Sequence, residues 1–236
     1  MIDQVLTESW QEVMASYGNP ASIAVKMENG GAKYATPNAP GLRYETASTV
    51  KVAVLTMLLH ITGGELDDRQ ETLTKQMIRY SDNDATTAIV TDYLGGMLAL
   101  QSLYDELGMM ETRADDWWGK TLTVPTDQLK LLQMIYYDHH DGYLNQRSKD
   151  YVKMLMHTVS FDQQWGMSAG SDDYYLKNGW RPASDNGKWE VHSMGYLPAG
   201  EQSFIIAIYT RNNRDYASGV SLIEELARST KEVLLR

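Results

Sequence analysis

The sequence predicts an α+β fold: an antiparallel sheet built from both chain ends, flanked by the terminal helices, with an all-helical lobe inserted between. Three observations point there. The hydrophobic period runs helical, then alternating, then helical, then alternating, then helical along the chain. Residues that favour strands gather near the two ends, whereas the middle reads as a long helical block. The composition, 43% hydrophobic and 22% charged over 236 residues, is that of a chain able to bury a sizeable core.

Taken in order, Asp3 to about Tyr17 is an amphipathic helix, with Val5, Trp10, Val13 and Met14 at roughly helical spacing and Gly18-Asn19-Pro20 ending it. Ser22 to Met27 alternates as a strand, Glu28-Asn29-Gly30-Gly31 is a hairpin turn, and Ala32 to Ala35 is the return strand. Ser48 to Leu59 is apolar on nearly every side, the pattern of a buried central helix, and stops near Thr62-Gly63-Gly64. From about Asp67 to Tyr137 the chain is mostly helical, broken at Gly95-Gly96, Gly108 and Pro125. Tyr174 to Asn178, Trp189 to Tyr196 and Ser203 to Thr210 read as strands, and Gly219 to Leu235 as a last amphipathic helix. The expected organisation is a single domain over 1–236. Residues 1–45 and about 170–236 form its α/β lobe, and about 46–169 a mainly helical lobe. There are no repeats or low-complexity segments.

Charge and composition exclude several functions. A formal net charge of −10 argues against nucleic acid as a partner. With no cysteine there is no disulfide, thiolate metal site or cysteine nucleophile. No stretch approaches the ~20 apolar residues of a membrane-spanning helix. Met1-Ile2-Asp3-Gln4 do not read as a signal peptide, and a start placed after a removed export signal or anchor reads equally well.

Three short segments carry chemistry. Ser48 and Lys51, three apart, share one helical face. A serine hydroxyl needs a base to become a nucleophile, and a lysine serves when burial keeps it neutral. The competing reading makes Ser48 a helix cap and Lys51 a surface residue. In Tyr80-Ser81-Asp82-Asn83, Ser81 or Asp82 caps the next helix, or Ser81 passes a proton to a leaving group while Asn83 offers its amide to a substrate. Lys177-Asn178-Gly179-Trp180 is a strand end before a turn, or a cation beside the nucleophile with a glycine where substrate meets the backbone.

Together, and in this order, Ser-x-x-Lys, Ser-Asp-Asn and Lys-x-Gly resemble the motif set of the class A β-lactamases and penicillin-binding proteins. The flanks are similar too: Glu45-Thr46-Ala47 before Ser48, Asp92 to Gly108 after Asn83, and Val124-Pro125-Thr126-Asp127-Gln128-Leu129. The resemblance covers most of the chain and implies the β-lactamase/transpeptidase-like fold. It implies that Ser48 attacks a carbonyl and is acylated, that Lys51 is the base, directly or through water, and that Ser81 relays the proton to the leaving nitrogen. Asn83 would hold the substrate amide. Lys177 would supply positive potential for a carboxylate, and the backbone N–H groups of Ser48 and Trp180 the oxyanion hole. Asn178, Gly179 and Trp180 would line the substrate groove. No metal or organic cofactor is implied.

The sequence departs from the family in four places. The loop glutamate that class A enzymes use to release the acyl group has no counterpart: Thr112 to Thr123 contains only Asp115 and Asp116 as carboxylates. The favoured reading pairs Asp115 with Arg113 as a structural clasp. Asn178 stands where the family has Thr or Ser, and Trp180 where it has a small residue. Ser81 follows Ser48 by only 33 positions, a shorter gap than usual, which predicts a more open cleft. Elsewhere, His139-His140-Asp141 reads as a solvated helix end rather than a metal site. Trp117 and Trp118 read as core, or as a platform for carbohydrate beside the cleft.

The expected function is a β-lactamase-like serine hydrolase acting through an acyl-enzyme on β-lactams or related amides and esters. Its alternatives are a DD-peptidase- or esterase-like cell-wall enzyme, and a non-catalytic peptidoglycan- or penicillin-binding relative. The expected partner is a small β-lactam or a peptide or ester ending in D-amino acids. The protein is expected to be monomeric and to work outside the cytoplasmic membrane.

Overall fold

The computed structural model describes residues 2–235. The chain opens with helix α1 (Ile2–Tyr17), whose Leu6, Trp10 and Met14 form the buried stripe. Strands β1 (Ala21–Met27) and β2 (Lys33–Pro37) follow as a hairpin, joined by a 3-10 turn in which Gly30 takes φ 73°, a left-handed conformation that glycine adopts without strain. After the short strand β3 (Tyr44–Glu45), a 3-10 turn at Ala47–Val50 leads into α2 (Lys51–Ile61). Every residue of α2 from Lys51 to Leu59 is buried, as the all-round apolar pattern requires.

Helices α3 (Asp68–Arg79), α4 (Asn83–Asp92) and α5 (Ala99–Glu106) surround α2. Asp67 caps α3 through a reciprocal box with Gln70, and Asp82 caps α4 by accepting from the Ala85 amide. Strand β4 (Leu122–Thr123) pairs with β3. It leads into α6 (Pro125–Tyr136), which starts on a proline at its first position, where a missing N–H costs nothing. Helix α7 (Gln146–His157), capped by Asn145, completes the helical block. Strands β5 (Tyr175–Pro182), β6 (Trp189–Leu197) and β7 (Phe204–Asn213) precede α8 (Tyr216–Leu234).

The five-stranded sheet is antiparallel throughout, in the order β2-β1-β7-β6-β5, so the N-terminal hairpin sits beside the C-terminal strands. Side chains alternate across it. Ile23, Val25, Ile206, Ile208 and Val191 face α1 and α8. Ala24, Ile205, Ala207, Tyr209 and Met194 face α2 and α6. Trp10 is fully buried in the first of these cores and donates its indole N–H to Thr230 Oγ1 at 2.9 Å, so α1 and α8 are joined by a satisfied polar contact inside an apolar layer.

This is the α+β fold expected from the sequence, with both chain ends in one sheet and the helices of the middle on one side of it. Three local differences matter. Ser48 does not open an α-helix but sits in the 3-10 turn ahead of it, and its side chain caps nothing. The last helix begins at Tyr216, not Gly219, because Asp215 caps it. His139 and His140 lie in an exposed turn beyond the end of α6 rather than at a helix end.

Candidate active site

The segment before Ser48 is fixed from several sides. The Glu45 amide donates to Glu190 Oε2 at 2.9 Å, and His192 Nε2 lies 2.8 Å from the Glu45 carbonyl oxygen. The Thr210 amide approaches His192 Nδ1, which makes Nδ1 the acceptor and Nε2 the N–H that donates to Glu45. Glu190 and His192 are both fully buried on β6. Next, Thr46 donates its amide to the Thr121 carbonyl, and Thr49 Oγ1 meets both the Thr46 carbonyl and Tyr209 Oη at 2.7 Å. Ala47 is held at φ 47°, which an L-residue with a Cβ adopts only under local strain.

Strand β5 runs hard against this turn. A Cβ on Gly179 would stand 2.8 Å from the amide nitrogens of Ser48 and Thr49 and 3.0 Å from the Thr46 carbonyl oxygen, all backbone atoms unable to move aside. Only glycine permits that approach.

Lys51 is fully buried at the start of α2. Its Nζ donates to the Ser81 carbonyl at 2.6 Å, to Asn83 Oδ1 at 2.8 Å and to Ser81 Oγ at 3.2 Å. Burial lowers its pKa to about 7, and the charge of Asp82 acts in the opposite direction. Lys177, on β5, approaches the same hydroxyl: its Nζ is 2.9 Å from Ser81 Oγ and 2.8 Å from the Asn178 carbonyl. Burial, and then the neighbouring Lys51, push its pKa well below the usual lysine range. Ser81 itself sits at φ 56° between the end of α3 and the cap of α4, a strained position that turns its hydroxyl and its carbonyl toward the two lysines. Such an arrangement can pass a proton from one amine through a hydroxyl to a leaving group.

The structure thus brings Ser81, Asn83 and Lys177 onto or beside Lys51, and Ser48, Asn83 and Trp180 onto one cavity of about 220 Å³. Its wall is completed by Ala47, Trp117, Trp118, Arg181, Pro182 and Trp189. A separate apolar hollow of about 260 Å³ between Ser22, Thr36, Leu42 and Val124 includes none of the motif residues.

Two expectations need correction. Asn178 is not a groove residue: it is fully buried, and its Nδ2 donates to the carbonyls of Gln163 and Trp165. Alternation along β5 explains this, because Lys177 and Gly179 face Ser81 and the Ser48 turn while Asn178 points to the opposite side. Asp115 does not clasp Arg113; its Oδ1 accepts from the Trp117 amide at 3.1 Å, and Arg113 Nη1 donates to the Thr112 carbonyl. Asp115 and Asp116 are both exposed. The loop instead sets Trp118 over Lys51, with Nζ 4.9 Å from the ring centroid. Sequence reasoning also missed Glu190, His192 and Arg181. They form no motif: Glu190 and His192 hold the backbone of Glu45, and Arg181, itself on the cavity wall, has Nη1 2.7 Å from Glu45 Oε2.

Residues 69–234 match the model of the beta-lactamase enzyme family. That span includes Ser81, Asn83 and Lys177, while Ser48 and Lys51 precede it. Among curated proteins, none matches in sequence. Solved structures match in fold over nearly the whole chain. TLA-3 extended-spectrum beta-lactamase aligns with a TM-score of 0.85 at 15% identity, covering 99% of this chain and 100% of that one. TLA-1 extended-spectrum beta-lactamase gives 0.85 at 16%, covering 100% of both. A beta-lactamase from Xanthomonas campestris gives 0.80 at 14%, covering 99% of this chain and 98% of that one. At such identities the structural likeness establishes the fold, and the match over residues 69–234 establishes the kinship: this chain belongs to the beta-lactamase enzyme family.

Proposed function

We propose that this protein is a serine hydrolase that works through an acyl-enzyme, with Ser48 as nucleophile and β-lactams or related amides and esters as substrates. The observation that carries the reading is the convergence of Lys51 and Lys177 on Ser81 Oγ, with Lys51 lowered to about 7 by burial one helical turn from Ser48. Neutral Lys51 takes the Ser48 proton as Oγ attacks the carbonyl carbon. Ser81 gives its proton to the leaving nitrogen or oxygen and is reprotonated from the lysines. Asn83, whose Oδ1 is engaged by Lys51, has its amide N–H groups for the substrate. Lys177 holds the Ser81 hydroxyl in line, and burial keeps the Lys51 amine neutral.

The second half of the cycle has less support, because Trp118 covers Lys51 and both loop carboxylates are exposed. Acylation is therefore fast relative to release, and the acyl-enzyme accumulates, as in a penicillin-binding or peptidase-like protein. A substrate drawn from cell-wall chemistry would be met outside the cytoplasmic membrane, where we propose that the protein works as a monomer.

The test is intact-protein mass followed over time after mixing with benzylpenicillin, with Ser48→Ala as control. A Ser48-dependent adduct that persists for many minutes supports the reading. An adduct that clears as hydrolysed drug accumulates shows that release has another route. Absence of any adduct with benzylpenicillin and with simple thioesters alike removes the acyl-enzyme proposal.

A further inference from the structure

Strand β5 is the last of the five-stranded sheet, so the edge that carries Lys177 and Asn178 has no strand beside it. The chain from Ser160 to Trp165 crosses that edge. On the side of the helical lobe, the Ser160 amide donates to the Arg79 carbonyl at 2.8 Å, two residues before Ser81. On the far face of the strand, the carbonyls of Gln163 and Trp165 accept from Asn178 Nδ2 at 2.9 and 3.0 Å. Between these anchors lies the short turn Phe161–Gln163, with Asp162 at its middle, beside Lys177. The Asp162 carboxylate is exposed and accepts from Ser160 Oγ and from Gln163 Nε2 at 2.9 Å. Those two donors hold it below the usual carboxylate range, and the charge of Lys177 acts in the same direction. Phe161, next to it, is 90% exposed.

A leaving group that takes its proton from Ser81 lies on this side of the site. A carboxylate on it would need a free cation, and the cations here are committed. Lys177 is buried, with Nζ on Ser81 Oγ and the Asn178 carbonyl, and buried Lys51 has its Nζ on Ser81 and Asn83. Arg79 spends Nε on the Thr158 carbonyl and lays its guanidinium over the Tyr80 ring, 5.6 Å from the centroid. Arg181, farther along β5, is bound to Glu45. The charge offered to solvent beside Lys177 is that of Asp162, and an exposed ring next to a carboxylate suits an ammonium. Resting on the acyl-enzyme reading, we propose that Asp162 sets specificity on the leaving-group side, favouring esters and amides whose leaving group carries an ammonium over those whose leaving group carries a carboxylate.

The test holds the acyl group constant and varies the leaving thiol: acetylthiocholine, its uncharged carbon analogue S-(3,3-dimethylbutyl) thioacetate, and S-acetyl-3-mercaptopropionate. Released thiol is read by a disulfide chromogen, with which this cysteine-free chain does not react. After correction for each ester's alkaline hydrolysis, kcat/KM is expected to be at least about fivefold higher for the ammonium than for the carbon analogue, and lowest for the carboxylate. Asp162→Asn cuts the ammonium-to-carboxylate ratio at least about fivefold, and Asp162→Glu restores most of it. Ser48-dependent turnover without this order overturns the proposal and leaves the nucleophile standing. So does an order that Asp162→Asn leaves intact, which would report the net charge of −10 rather than Asp162. Binding is read separately in Ser48→Ala protein by saturation-transfer NMR with choline and 3,3-dimethylbutanol. A choline signal stronger than that of the alcohol, and lost on adding Asp162→Asn, supports the subsite even if no thioester turns over, in which case the acyl-enzyme reading is what fails. A choline signal no stronger than that of the alcohol, or one indifferent to Asp162→Asn, overturns the subsite.

Discussion

The indole of Trp118 lies over the ammonium nitrogen of Lys51, 4.9 Å from nitrogen to ring centroid. A ring face stabilises a cation, but the same ring excludes water, and burial is the larger influence on Lys51, lowering its pKa to about 7. In the proposed mechanism only the neutral amine accepts the Ser48 proton. The acylation rate is therefore expected to rise about tenfold per pH unit below 7 and level off above it. Trp118→Ala lets water reach Nζ and moves that limb upward by ~1 unit, which slows acylation at pH 6 roughly tenfold. Adduct formation rates by mass spectrometry from pH 5 to 9 check both, and an unshifted limb in the variant would show that Trp118 does not set the base.

Stability should carry the mark of the same lysines. Lys51 and Lys231 are lowered to about 7 and about 8, and Lys177 well below the usual lysine range, chiefly by burial. Below these values the folded and unfolded chains both hold the protons, and the folded state bears buried charge. As pH rises through about 7 and 8 the folded chain loses them, while the unfolded chain keeps them up to about 10.5. The unfolded state then binds more protons, so stability climbs across that window. Tyrosines held above 10 by burial, such as Tyr44, oppose the trend only above pH 10. Urea midpoints are expected to be higher at pH 9 than at pH 7, and a lower midpoint at pH 9 would contradict the burial of these amines.

Ser81 combines a strained backbone with the hydroxyl proposed as the proton relay, and two substitutions separate them. Ser81→Ala keeps the Cβ at φ 56° and removes the oxygen that both lysines share. Ser81→Gly removes the oxygen and relieves the strain. Both are expected to lose 10²- to 10⁴-fold in acylation. The glycine variant should be more stable than the alanine variant by ~1 kcal/mol, because a left-handed residue costs an L-side chain about that much. Thermal or urea unfolding decides the second point. Equal stability would mean that the turn relaxes around alanine.

The fold was legible because its signals are local. The apolar run after Ser48, the cap at Asp82 and the strand-favouring residues of β5 to β7 each state an element directly. The three motifs were legible for the same reason: each is a few residues long. What stayed hidden depends on facing. Asn178 follows Lys177 in sequence, yet the pleat sends it to the far side of the strand, so a motif read as a string overstates the groove. Asp115 was paired with Arg113 by proximity in sequence, whereas a hydrogen bond to an amide two residues on suffices for an aspartate in a turn. Glu190 and His192 touch the site only through backbone atoms of Glu45, and backbone partners leave no trace in composition or spacing.

That hidden pair yields the last prediction. Glu190 is wholly buried, with Oε2 accepting the Glu45 amide and Oε1 3.2 Å from Arg211 Nε, an ion contact that lacks hydrogen-bond alignment. Arg211 has a second partner in Asp185, which both Asp185 oxygens serve at 2.7 Å. Glu190→Ala strips the buried Glu45 amide of its acceptor and leaves Arg211 half-compensated, at an expected cost of ~3 kcal/mol in urea unfolding. Glu190→Gln keeps a carbonyl oxygen for the amide and should cost ~1 kcal/mol. Because Glu45 leads directly into the Ser48 turn, the alanine variant should also acylate more slowly under conditions where it remains folded, and the glutamine variant should recover most of that rate. If the glutamine variant were as slow as the alanine one, the charge of Glu190, not its hold on the Glu45 amide, would be what serves Ser48.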